Sequence, residues 1–188
     1  MSLINRPLTQ KNLYLNKKLL RKFNKYFKYN NSHSKNIFII LDNLQYATNV
    51  ASIFRIADAL GVSDVFLAGG TPRPPFGKQL VKVSRHKEKH IKWRYFKTTG
   101  KAIDYLTRKD IPVIAVEQVS HALPFYAIHY PQSFALLVGN EEHGISKVVL
   151  KKVKNYVFIP MFGKGASLNV HVSLAIVGFY AIIPTPGH

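Results

Sequence analysis

Apolar residues along this chain come in two rhythms. Short unbroken runs at 36–41 (NIFIIL), 63–68 (SDVFLA), 112–116 (PVIAV), 134–138 (FALLV) and 156–160 are rich in β-branched and aromatic residues. Turn formers such as Asp42, Asn43 and Gly139 bound them, the mark of buried strands. Residues 93–96 predict a further short strand. The second rhythm is helical: Val50, Ile53, Phe54, Ala57 and Leu60 recur at three- and four-residue spacing, with Thr48 or Asn49 placed to serve as N-cap and Gly61 as the stop. Further helices are predicted over 101–109, from about 146 to 152, and over 168–182, the last apolar on every side. The proline-rich loop at 69–75 (GGTPRPP) excludes regular pairing over most of its length, and the basic stretch after it reads as helix-poor. Strands alternating with helices of this size predict an α/β fold, a mostly parallel sheet with helices on both faces. In such sheets ligands sit beyond the carboxyl ends of the strands. Three of those ends are unusual here: 42–49, 139–144 and 161–169.

Length and composition fit one globular unit, with 188 residues and 47% hydrophobic content. Charge changes the picture more. Lys and Arg number 27 against nine Asp and Glu, a net charge of +18 that attracts polyanions and makes nucleic acid the leading partner. The excess is concentrated. Residues 1–35, a basic N-terminal arm preceding the domain at 36–188, carry nine Lys/Arg and no acid, interleaved with Tyr14, Phe23, Tyr26, Phe27 and Tyr29. These rings either stack on bases or pack on the domain. A second run, 73–101, holds ten Lys/Arg and the single acid Glu88. The chain has no cysteine, which excludes disulfides, thiolate metal sites and a cysteine nucleophile. It has no apolar run of about 18 residues and no signal-type h-region, so a soluble, cytoplasmic protein with no membrane partner is expected.

The stretch 159–176, IPMFGKGASLNVHVSLAI, leaves a strand, crosses the small-residue loop Gly163-Lys164-Gly165-Ala166, and enters the apolar helix. A loop so poor in side chains either exposes its backbone to a close-approaching molecule or is an ordinary turn. Asn49 and Arg55 read either as a donor pair for phosphate or ribose at a helix start, or as a cap and a surface Arg. Glu141 and Glu142 directly follow a buried strand, where a carboxylate orients an Arg or accepts from a substrate, or else complements a helix dipole. His121, His143 and His171 lack ligand spacing, so no metal is expected. The dinucleotide and P-loop glycine patterns are absent, and no G-x-S-x-G elbow surrounds Ser167.

Taken in order, NVASIFRIADALGV at 49–62, LLVGNEEHGIS at 136–146 and IPMFGKGASLNVHVSLAI at 159–176 resemble the three successive motifs of the SpoU/TrmH branch of SPOUT RNA methyltransferases, over about residues 36–183. The GGTPRPP loop is similar to that of a subgroup known only generically as RNA methyltransferases. The resemblance implies an α/β domain with a deep C-terminal trefoil knot, an exception to the rule against threaded chains. It implies S-adenosylmethionine bound bent in that knot, with S-adenosylhomocysteine as product. Gly139, Ile159 and Leu168 would contact it, largely through main chain, with Val138, Asn140, Met161, Ser167 and Asn169 around them. The family works as a homodimer whose site is completed across the interface. The reaction implied is methyl transfer to a ribose 2′-hydroxyl of tRNA or rRNA, with Arg55 essential and Asn49, Glu141, Ser167 and Asn169 positioning it or the ribose. A guanidinium is always protonated and is a reluctant base. The alternatives are a non-catalytic RNA-binding or ribosome-assembly protein on the same fold, and a base-methylating relative, which the ribose-type motif set disfavours. Three departures bear on substrate choice more than on catalysis. Ala51-Ser52 stand where Gly commonly follows Asn-Val, 84–90 (SRHKEKH) is bulkier and more basic than usual, and the C-terminal extension of some tRNA-specific members has no counterpart before His188.

Overall fold

Parallel pairing joins every neighbouring pair of strands in a seven-stranded sheet of order β3-β2-β1-β6-β4-β7-β5. The strands are β1 (Asn36–Asp42), β2 (Asp64–Ala68), β3 (Trp93–Phe96), β4 (Val113–Val116), β5 (Leu123–Pro124), β6 (Ser133–Val138) and β7 (Asn155–Phe158). The computed structural model describes residues 35–183 together with Lys22, so the basic arm lies outside the described residues apart from Lys22 and Lys35. Within residues 35–183 the helices are α1 (Ala47–Leu60), α2 (Lys78–Ser84), α3 (Thr99–Thr107), α4 (Lys147–Leu150) and α5 (Val170–Ile182).

Alternation along each strand divides the core in two. Ile37, Ile39 and Leu41 of β1 and Phe134, Leu136 and Val138 of β6 pack with Ile53, Phe54 and Ala57 of α1 and Leu174 and Val177 of α5. Ile40, Phe66, Ala135 and Leu137 face the other way, onto Ala102, Ile103 and Leu106 of α3 and Val149 of α4. Both sheet faces are therefore apolar, and each fully buried Ile, Leu or Phe adds about 1.5–3 kcal/mol of transfer free energy. Helices α1 and α5 lie against each other, and Gly178 faces the Leu60 side chain where a Cβ would collide with it.

Several boundaries differ from the sequence expectation. Thr48 and Asn49 do not cap α1, which begins at Ala47 with Tyr46 at the N-cap position and no side-chain cap. Asn49 lies inside the first turn with its side chain committed to another loop. Gly61 does end the helix, in the left-handed region at φ 68°. The basic stretch is not helix-free: α2 forms there, ended by Arg85 and His86 at φ 52° and 62°, with Glu88 buried against the Ser84 hydroxyl. Helix α3 starts at Thr99 because the Thr98 side chain caps it, and α5 starts at Val170 because Asn169 does. Strand β7 stops at Phe158, two residues before its expected end, and the two-residue edge strand β5 had no sequence signal. Among the described residues no helix is long and apolar enough to cross a membrane, and no cluster of three or more His, Asp or Glu side chains is arranged to hold a metal ion.

Candidate active site

The chain runs from β1 toward β2 and β3 on one side, while β6 and β4 lie on the other. The carboxyl ends of β1 and β6 therefore meet where the strand order reverses, the usual ligand crevice of an open parallel sheet. The turn after β1 is held there by its own polar groups. Asn43 adopts φ 53°, donates to Asp42 Oδ1 at 2.8 Å and accepts the Gly70 N–H at 3.0 Å. The Thr71 hydroxyl donates to the Leu41 and Ala68 carbonyls and accepts the Leu44 N–H at 3.1 Å. Asp42, almost fully buried, accepts from the Thr99 hydroxyl.

The loop after β6 closes against this turn. Asn140 and Gly144 exchange backbone hydrogen bonds at 3.1 and 2.9 Å, and the Asn140 side chain accepts the N–H groups of Glu142 and His143. Its amide donates to the Asn43 carbonyl at 2.8 Å. Glu141 accepts three donors around the start of α1: the backbone N–H of Gln45 at 2.8 Å, that of Tyr46 at 3.3 Å, and Asn49 Nδ2 at 2.7 Å. Burial pushes the Glu141 carboxyl up, but these donors outweigh it and hold the group below the ordinary carboxylate value. Glu142 accepts the Tyr46 hydroxyl at 3.1 Å, which raises the phenol above its ordinary value.

Helix α5 joins the same network. Because Asn49 Nδ2 faces the Glu141 carboxylate, its Oδ1 is the atom 3.1 Å from His171 Nδ1. An amide oxygen only accepts, so the imidazole proton sits on Nδ1 and Nε2 keeps its lone pair. Burial also lowers the His171 pKa, which favours the neutral ring.

Beside this network the loops after β4, β6 and β7 enclose a cavity of about 790 Å³. Val138, Gly139, Asn140, Ile159, Met161, Leu168 and Asn169 all line it, as do Glu141 and Ser167. Asn49 reaches the rim only through Glu141, and Arg55 is absent from the lining. Arg55 stands exposed on α1 with no hydrogen bond or ion pair among the described residues. The loop 161–169 forms the outer wall and carries a nearly fully exposed side chain, Phe162 at 97%. Nothing lies where a Cβ would stand on Gly163 or Gly165, so their backbone is bare toward open space.

Glu117 and His171 were not among the sequence candidates. Glu117 Oε2 accepts the Ile145 N–H at 2.9 Å at the cavity wall, and its carboxylate fills the space a Cβ on Gly144 would need. The signal that singled out Glu141, an acid directly after a buried strand in an acid-poor chain, applied to Glu117 as well. With Glu142, three of the nine acids of a strongly basic chain line one cavity.

The sequence matches the SpoU rRNA Methylase family over residues 36–179. The chain is 30% identical over 142 residues to the 23S rRNA (guanosine(2553)-2′-O)-methyltransferase RlmP of Bacillus subtilis, covering 76% of this chain and 56% of that protein. It is 26% identical over 143 residues to the tRNA (guanosine(18)-2′-O)-methyltransferase of Escherichia coli, covering 76% and 61%. The fold is similar to that of an AdoMet-bound rRNA methyltransferase from Sinorhizobium meliloti, with TM-score 0.71, 26% identity, and coverage of 79% of this chain and 56% of that one. The chain thus spans a little over half the length of these relatives.

Proposed function

The chain belongs to the SpoU rRNA methylase family, and from that premise we propose that it transfers a methyl group from S-adenosylmethionine to a ribose 2′-hydroxyl of tRNA or rRNA, acting as a homodimer. The observation that carries this reading is the union of three chain segments at one crevice: Asn49 of α1 bound to Glu141, and Glu141 on the wall of a cavity shared with Ser167 and Asn169.

The cavity suits the cofactor. Val138, Ile159, Met161 and Leu168 offer apolar surface, the 139–144 loop offers backbone donors and acceptors, and Glu117, Glu141 and Glu142 offer negative charge to a cationic ligand. When bound, S-adenosylmethionine supplies an electrophilic methyl group on a positively charged sulfur. We assign the trefoil knot to the segments that wall this cavity, 138–147 and 158–173.

The chain's own residues then prepare the hydroxyl. Glu141, held ionised by its donors, fixes Asn49 and the start of α1. Ser167 and Asn169 present polar groups at the rim. Arg55 offers its planar donor fork to phosphate or ribose. It stands outside the cavity of its own chain, and a second copy of the chain would bring it to a site. The exposed apolar surface of α5, with Val172 and Phe179 uncovered, suits that contact. Calorimetric titration with S-adenosylmethionine, followed by a search for a 2′-O-methyl nucleotide missing from the tRNA or rRNA of a deletion strain, tests the proposal. Absence of cofactor binding would overturn it and leave an RNA-binding protein on this fold.

A further inference from the structure

We infer that the exposed edge of the sheet at Tyr95, with the Arg73 guanidinium over its ring, is a stacking platform for an unpaired nucleotide of single-stranded RNA; this rests on the reading above that the partner is RNA. Of the ten cations between 73 and 101, two are committed, Lys87 to Asp58 at 2.7 Å and Arg94 to Asp64 at 2.6 Å. The other eight are exposed and none is closed into an ion pair among the described residues; Lys92 alone among them acts on an acid, Asp64, through its charge. The single acid of the run, Glu88, is buried against Ser84, so no carboxylate of the run stands on its exposed surface.

Within that field one aromatic ring is open. Tyr95 is 42% exposed on the edge strand β3, and the Arg73 Cζ lies 4.2 Å from its ring centroid. Pro72 and Pro74 flank Arg73 and restrict its backbone, so less freedom is lost when a ligand adds to the stack. A guanidinium plane and a phenol ring are the two surfaces on which splayed bases stack, and the surrounding lysines neutralise the phosphates.

The location fits the cavity. All strands are parallel, so Tyr95 at the carboxyl end of β3 lies on the same rim as the 139–144 loop after β6, three strand spacings or about 14 Å away. RNA whose target nucleotide enters the crevice passes Tyr95 with its neighbouring nucleotides.

The test measures anisotropy of a fluorescein-labelled, non-self-complementary single-stranded RNA of about 12 nucleotides against the native chain, Tyr95→Ala, Tyr95→Phe and Arg73→Lys. Thermal melts confirm folding, and S-adenosylmethionine titrations run in parallel. The expected result is binding about tenfold weaker for Tyr95→Ala, with the salt dependence unchanged. Tyr95→Phe, which keeps the ring, should stay within about twofold. Arg73→Lys, which keeps the charge but not the plane, should also weaken binding. Native-like binding by Tyr95→Ala overturns the inference, and so does an equal loss toward heparin or duplex RNA, which would mean plain charge attraction. If S-adenosylmethionine fails to bind while Tyr95→Ala loses RNA, the enzymatic reading falls and the platform stands. The opposite pattern removes the platform and leaves the enzyme.

Discussion

Glu141 and Asn49 stand 92 positions apart in the chain and meet at 2.7 Å, which ties the loop after β6 to the first turn of α1. Asn49 is buried, and both ends of its amide are used, one by Glu141 and one by His171. Asn49→Ala would leave a carboxylate and an imidazole N–H each short of a partner, at a cost of about 1–3 kcal/mol. Asn49→Asp should be worse, because a second carboxylate would face Glu141. Urea denaturation of the two variants checks the order, with the aspartate form expected to be the less stable.

Acid should weaken the same junction in two separate windows. His171 is held below its ordinary value of 6.5 by burial, so the unfolded chain takes up its proton first as pH falls. Stability is then lost on going down through about 6.5 toward the folded value. Glu141 is held below its ordinary 4.5, so its contribution is intact above that value and lost as pH falls through the folded one. Thermal midpoints between pH 8 and pH 3 should fall in both windows. His171→Gln should remove the upper fall and keep the lower; Glu141→Gln should do the reverse.

The strands were legible because a sheet covered on both faces writes its buried strands as continuous apolar runs, and 36–41 and 134–138 are such runs. Helix α2 was not, because Leu80, Val81 and Val83 are only half-buried and give no clean stripe. The cap of α1 was misread for a different reason. Asn49 has the right chemistry for a cap, but its oxygen, the atom a cap would use, faces His171 and its amide N–H faces Glu141, partners 122 and 92 positions away that no local pattern shows. Residues around the cavity were readable as backbone-exposing loops at strand ends. His171 was not, since its meaning depends on α5 packing against α1.

Two glycines set the shape of the β6 loop. Gly144 adopts φ 62° and faces the Glu117 carboxylate, and a Cβ on Gly139 would run into the backbone of Gly144 and Ile145. Gly139→Ala cannot be relieved by a side-chain rotation, because the obstacle is main chain. It should destabilise the protein by about 2–4 kcal/mol and abolish S-adenosylmethionine binding in calorimetry. Alanine at Gly163 or Gly165, which would meet nothing within the chain, should leave the melting temperature unchanged.

Glu117 gives a prediction that separates charge from shape. Its carboxylate both holds Ile145 and contributes negative charge to the cavity. Glu117→Gln keeps an acceptor oxygen for Ile145 but removes the charge. S-adenosylmethionine carries a sulfonium that S-adenosylhomocysteine lacks, so the variant should weaken the first ligand more than the second. Parallel calorimetric titrations measure the difference, and equal weakening would assign Glu117 to loop shape alone.

Arg55 should show the opposite profile to Asn49. It is exposed and unpaired among the described residues, so Arg55→Ala removes no folded contact and should change stability by no more than about 0.5 kcal/mol. If a second copy of the chain presents Arg55 to the crevice, the same substitution should cut methyl transfer to RNA about a hundredfold or more while S-adenosylmethionine still binds. Arg55→Lys would keep the charge but lose the planar fork, and should recover only a small part of the rate. Mixing Arg55→Ala chains with Glu141→Ala chains provides the sharper check. Each variant alone should be inactive, but a mixed dimer contains one site with both groups intact, so activity should return toward a fraction of the native value. No return, with mixed dimers demonstrated by size and tag pull-down, would place Arg55 and Glu141 in the same chain's site.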